Sequence, residues 1–115
     1  MKDSVEIVKA VNNTVDLEKI IKTINNIIDT KAIYIFGSYA KGEQKKDSDI
    51  DIYIVANSLN GRVIEKLSEI RMALRDIVDK PMDILLSTEE NFEERKLFKS
   101  SIERIIDKEG IIIYG

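Results

Sequence analysis

The chain has 115 residues, with 18 Lys and Arg against 21 Asp and Glu, and contains neither histidine nor cysteine. That length suits a single domain, 1–115, with a core large enough to fold alone. Lack of cysteine excludes a disulfide framework, a thiolate zinc site and a cysteine nucleophile, and lack of histidine excludes an imidazole base and the serine triads that depend on one. Any chemistry falls to carboxylates, hydroxyls and lysines, most readily with a hard metal ion. The net charge of −3 argues against direct nucleic-acid binding, which draws on a basic face. The start, Met1 to Glu6, lacks the apolar run of a signal peptide, and no segment approaches the ~20 apolar residues of a membrane span. The expected location is cytoplasmic, without membrane contact.

Taken in chain order, Asp3 or Ser4 caps a short helix with Val5, Val8 and Val11 on one face. Thr14 or Asp16 starts a second helix, over about 15–29, in which Leu17, Ile20, Ile21, Ile24 and Ile28 recur at helical spacing. Ala32-Ile33-Tyr34-Ile35-Phe36, ended by Gly37, reads as a buried strand. Residues 38–48 are polar and suggest a loop with at most one or two helical turns. A second strand runs from Asp49 to Val55, alternating at first and then fully apolar. Asn60-Gly61 opens a helix with Val63, Ile64, Leu67, Ile70, Leu74, Ile77 and Val78 on one stripe, and Pro81 marks its end. Met82-Asp83-Ile84-Leu85-Leu86 is a third strand. Ser87, with Glu90 three residues on, looks like a capping box for helical sequence bearing Phe92, Leu97, Phe98, Ile102, Ile105 and Ile106, interrupted near residues 99–101. Ile111 to Tyr114 can add an edge strand. The order describes an α/β (α+β) domain: a small mixed sheet of three to four strands flanked by helices.

Asp49 and Asp51 are two apart on a strand, so both side chains share one face while Ile50 and Ile52 take the other. Alone, an Asp-x-Asp pair usually describes the solvated face of an edge strand. Two like charges side by side repel unless a cation lies between them, and oxygen-only ligands select Mg²⁺, Mn²⁺ or Ca²⁺. Asp83 can supply a third ligand if its strand lies beside the second. Gly37-Ser38 ends the first strand with ten residues between it and Asp49; alone it is a plain strand-ending turn, but it is also a place where backbone N–H groups and a hydroxyl can approach phosphate oxygens. At average residue frequencies the joint pattern Gly-Ser-x10-Asp-x-Asp arises by chance in roughly one chain of this length in a thousand. Lys41, Lys45 and Lys46 beside it can steer phosphate or an acidic partner, or serve as an ordinary solvated loop.

Phe36-Gly37-Ser38-Tyr39-Ala40-Lys41-Gly42 and Ser48-Asp49-Ile50-Asp51-Ile52-Tyr53-Ile54-Val55 together resemble the signature of the polymerase-β-like nucleotidyltransferase superfamily. The short chain and the strand at Met82-Asp83-Ile84 most resemble the minimal nucleotidyltransferases (MNT) that accompany HEPN proteins in toxin–antitoxin pairs. The resemblance covers about residues 30–115, its sharp motif about 36–55. It implies that Gly37 and Ser38 hold a nucleoside triphosphate, with Lys41 standing where many relatives carry arginine. It implies further that Asp49 and Asp51 bind two Mg²⁺ ions, with Mn²⁺ able to substitute, and that Asp83 completes the metal site and helps activate an acceptor hydroxyl. The function so implied is transfer of AMP from ATP to a partner protein, a HEPN ribonuclease toxin silenced by its antitoxin, in a homo- or hetero-oligomer. A domain this small leaves no room for a second module that grips the acceptor, so the acceptor is expected to bring its own surface or a second subunit to complete the cleft, and a protein acceptor fits this best. Two other functions stay open: an antitoxin acting by binding and occlusion alone, and a subunit of a small-molecule, aminoglycoside-type nucleotidyltransferase.

Overall fold

The computed structural model describes residues 3–115. Helices α1 (Ser4–Asn12) and α2 (Leu17–Ile27) lead into strand β1 (Asp29–Phe36), the single-turn α3 (Gly37–Ala40) and strand β2 (Ile50–Ser58). Helix α4 (Val63–Arg75), strand β3 (Met82–Thr88), helices α5 (Glu89–Arg95) and α6 (Ile102–Glu109), and strand β4 (Ile111–Tyr114) follow. The sheet order is β3-β2-β1-β4. β1 pairs antiparallel with both β2 and β4, and β2 pairs parallel with β3. The parallel pair is joined through α4, as a connection between parallel strands requires. The expected small mixed sheet flanked by helices is thus the observed architecture.

Strand alternation divides the apolar residues between two cores. Ile33 and Ile35 of β1, Ile50, Ile52 and Ile54 of β2, and Ile84 and Leu86 of β3 pack with α1, α2 and α4. Ala32, Tyr53 and Val55, with Tyr34, Phe36 and Leu85 beside them, pack on the opposite face against Phe92 of α5 and Ile106 of α6. β2 is covered on both faces from Ile52 to Ala56, which explains why its sequence stops alternating there. Among the described residues no helix is long and apolar enough to cross a membrane.

Several expectations need correction. The inward face of α1 is Ile7 and Val11, with Val8 beside them, and Val5 is exposed; α1 is met by α3 and β4 together, which rotates its contact stripe. Asp16 caps α2 by accepting from the Lys19 amide, but the helix stops at Ile27 because β1 already begins at Asp29. α4 starts at Val63, after Gly61 turns the chain at φ +119°, and ends at Arg75. Ile77 and Val78 therefore reach the core from the turn beyond the helix, and Ile64 lies outside the stripe. The cap of α5 is Thr88, whose side chain accepts from the Asn91 amide. Ser87 is still paired in the sheet opposite Val55 and is buried. Leu97 and Phe98 are 74% and 63% exposed, since α5 ends at Arg95 and the following turn carries both side chains off the core.

Candidate active site

β1 runs straight into α3, and Gly37 makes the corner at φ +73°, a left-handed conformation that costs a residue with a Cβ. A Cβ there would also run into the Asp51 carboxylate, so any side chain at this position would have to displace that group of the neighbouring strand. The sequence pattern suggested a phosphate approach as the reason for Gly37; the structure gives a second, internal one. Tyr39 is buried in the main core and anchors α3. The Gly37 carbonyl accepts from the Lys41 amide at 3.2 Å, and the Ser38 carbonyl accepts from the Glu43 amide at 2.9 Å, closing the turn on itself. The half-buried Ser38 hydroxyl has no hydrogen-bond partner among the described residues.

Asp51 lies opposite Phe36 on one side and opposite Asp83 on the other, in the parallel register of β2 with β3. Asp49 stands just before β2, exposed, and Asp83 is exposed on the outer strand. The structure therefore brings together Gly37, Asp49, Asp51 and Asp83 from three strands' ends, as the sequence reading anticipated on condition that the third strand adjoined the second. Burial, and then the carboxylates of Asp83 and Asp49, push the Asp51 carboxyl above the ordinary aspartate range. A cation at this edge would relieve that repulsion. Among the described residues no three carboxylates converge into a preformed cation cage. The arrangement fits Mg²⁺ nonetheless, because that ion is commonly held by one or two carboxylates with waters and substrate phosphates completing its shell.

Lys41 and Gly37 meet in a groove of about 490 Å³ that is also lined by Phe36, Glu43, Ile105 and Ile111. The three aspartates do not line it; Asp51 sits behind Gly37. Lys41 thus shares a groove with Gly37 rather than a contact with the aspartates. Lys45 and Lys46 are exposed.

Two features went unread in the sequence. The side-chain oxygen of Gln44, inside the loop that separates Gly37 from Asp49, is buried and unpartnered. Tyr53 shares the face of Asp51, and its hydroxyl lies 2.7 Å from Glu103 Oε2 and 2.8 Å from Ser87 Oγ. Burial is the main cause of its phenol being raised above the usual tyrosine range, and the bond to Glu103 adds to it. Only the occurrence of a tyrosine and a serine at inward positions of strands hinted at such a pair, and their partner Glu103 comes from fifty residues further along the chain.

A strand, a glycine corner and Asp51 facing Asp83 across a parallel ladder, with Asp49 beside them, are the features expected of a nucleotidyltransferase site. The nucleotidyltransferase-domain family matches residues 16–113, and the chain belongs to that family. A Methanocaldococcus jannaschii protein with the provisional name of protein adenylyltransferase is 38% identical over 55 residues. That alignment covers 48% of this chain and 57% of the relative, so the chain spans little more than half of that protein's length. A provisionally named nucleotidyltransferase from Sulfolobus solfataricus superposes with a TM-score of 0.59 at 17% identity, over 97% of this chain and 87% of its own, a likeness of fold. A toxin–antitoxin structure solved with AMP-PNP superposes with a TM-score of 0.57 at 25% identity, over 88% of this chain and 74% of its own. The likeness to that toxin–antitoxin structure accords with the minimal-nucleotidyltransferase resemblance of the motif.

Proposed function

We propose that this domain transfers AMP from ATP to a hydroxyl of a partner protein, and that the partner is a HEPN-type toxin silenced by the modification in the cytoplasm. The observation that carries the reading is the convergence of Gly37, Asp51 and Asp83: a strand-end glycine packed on one carboxylate that faces another in register. The Gly37-Ser38 corner receives the triphosphate, with the free Ser38 hydroxyl and the Lys41 ammonium turned to its phosphates. Asp49, Asp51 and Asp83 hold two Mg²⁺ ions, which when bound offset the charge of the leaving pyrophosphate and acidify the acceptor hydroxyl. The acceptor oxygen bonds to the α-phosphorus, the bond from that phosphorus to the bridging oxygen breaks, and pyrophosphate leaves with the electron pair. The hydroxyl proton passes to Asp83, one of the two exposed carboxylates at the rim. A protein acceptor is favoured by the relative named as a protein adenylyltransferase.

The test is incubation of the purified protein with α-labelled ATP, Mg²⁺ and the product of the neighbouring gene. Label should enter the partner, and Asp49→Asn or Asp51→Asn should lower transfer roughly a thousandfold or more while each variant stays folded. Full transfer by either variant would overturn the assignment of the site. Silencing that survives Asp51→Asn would favour occlusion, and label in an aminoglycoside but in no protein would favour the small-molecule reaction.

A further inference from the structure

We propose that the edge of β3 carries a docking site for an acidic, partly apolar peptide segment of a protein partner. A cavity of about 230 Å³ opens between the second half of α4 and the start of β3, with Arg71, Arg75 and Lys80 around a floor that includes Leu74, Met82 and Ile84. No Asp or Glu lines it. None of the three cations forms an ion pair among the described residues, although Arg62, Lys66, Arg95 and Lys96 elsewhere on the chain do. Asp76 and Asp79, in the turn beyond α4, neither line the cavity nor pair with its cations.

Arg71 and Arg75 stand one turn apart on α4, where like charges repel. That repulsion has no internal remedy here and an anion between them would remove it. Arg71 is held against the strand edge, its Nη2 donating to the Ile84 carbonyl at 3.4 Å. Lys80 Nζ donates to the Lys46 carbonyl at 3.1 Å, which joins the cavity to the loop bearing Lys45 and Lys46. Both of these lysines are exposed and without an ion pair among the described residues. The five cations form a band from α4 round the outer strand to the threshold of β2, three residues short of Asp49.

Charge complementarity selects the occupant. The band is a local exception on a chain of net charge −3, so a long polyanion such as nucleic acid would meet repulsion from the rest of the surface. A short acidic segment can stay on the band, reaching Asp83 only at its end. Guanidinium pairs bind carboxylates through forked, charge-assisted hydrogen bonds, and the apolar floor suits aliphatic side chains interleaved with the acids. β3 is an outermost strand of the sheet, so such a segment can lie along it. A segment bound there ends beside Asp83, the residue after Met82. That the partner is also the acceptor of the nucleotidyl group rests on the function proposed above; the binding does not.

Fluorescence anisotropy of a short labelled peptide of alternating Glu and Leu, with no nucleotide present, tests the site. The peptide should bind saturably, more weakly as salt rises, and a Lys-for-Glu counterpart should not bind. The double variant Arg71→Gln/Arg75→Gln, with circular dichroism to verify its fold, should bind the peptide roughly tenfold more weakly or worse. Asp51→Asn should bind like the wild type, so absence of nucleotidyl transfer by the wild type, or full transfer by Asp51→Asn, with peptide binding intact would strike the proposed function and leave this site standing. Absence of saturable binding, equal binding by the double variant, or tighter binding of an oligouridine RNA or of tripolyphosphate that displaces the peptide would overturn the proposal.

Discussion

Asp51 carries a charge in a place that discourages charge. It is half-buried, packed against Gly37, and flanked by Asp83 and Asp49, and these together raise its pKa above the unfolded value. A raised folded-state pKa means that folding favours the protonated form. Its favourable contribution is complete below the unfolded pKa and is lost as the pH climbs through the raised one. In metal-free buffer at neutral pH, Asp51→Asn should therefore melt at a higher temperature than the wild type, and the gap should close on acidification below the ordinary aspartate range. Calorimetry in EDTA across that pH range measures it; a wild type as stable as the variant at neutral pH would mean that the carboxylates do not oppose one another. A site that is improved for folding by removal of the group proposed for function is the expected trade between stability and activity. Gly37 belongs to the same account. Gly37→Ala should lose about 1–2 kcal/mol for the left-handed backbone alone, plus whatever is needed to displace Asp51, and the displaced carboxylate should cut nucleotidyl transfer as well. A Gly37→Ala variant with full transfer and unchanged melting would contradict both reasons given for the glycine.

At the scale of elements, α6 is held on the sheet by more than Ile106. Glu103 is buried, and the Tyr53 hydroxyl donates to its carboxylate while Ser87 supports the phenol from β3, so one contact ties β2, β3 and α6. The remaining neighbour of that carboxylate is Arg95 at 4.0 Å. Tyr53→Phe keeps the packing against Phe92 but strands the carboxylate, and should cost about 1–3 kcal/mol, read as a lower melting temperature. Glu103→Gln, which can still accept from the tyrosine, should lose less. Contacts of this kind mark the limit of what could be read from the chain. Helical and strand periods in Leu17–Ile24, Ala32–Phe36 and Asp49–Val55 are local, and they showed where the elements lie. Gly37, Ser38, Asp49 and Asp51 were legible for the same reason, being neighbours in sequence. Asp83 joined them only through strand order, which no local pattern states. The Tyr53–Glu103 bond, the shift of the cap from Ser87 to Thr88 and the exposure of Leu97 and Phe98 all depend on where strand pairing stops, a property of the assembled sheet.

For the molecule as a whole, the incomplete shell of carboxylates makes ligand binding and stability one question. The Cα envelope measures 36 × 35 × 21 Å, a slab with a layer of helices on each face of the sheet, and the aspartates lie on its rim, where Asp49 and Asp83 are open to solvent. A rim with two or three carboxylates and no closed cage should bind Mg²⁺ weakly alone and well together with a triphosphate, whose oxygens finish the shell and whose charge is offset in return. Mg²⁺ or a non-hydrolysable ATP analogue added singly should then change the melting temperature little, and the two together should raise it. At a hundredfold excess over the dissociation constant the gain is about 2.7 kcal/mol, on the order of 10 °C for a domain of this size. EDTA should abolish the shift, and so should Asp51→Asn, although that variant starts from the higher baseline argued above. The opposite signs of those two effects, a more stable apo variant that no longer responds to ligand, separate a metal–nucleotide site from a merely acidic surface. An acidic surface would gain from Asp51→Asn with or without nucleotide, and would show no dependence of the analogue's effect on Mg²⁺.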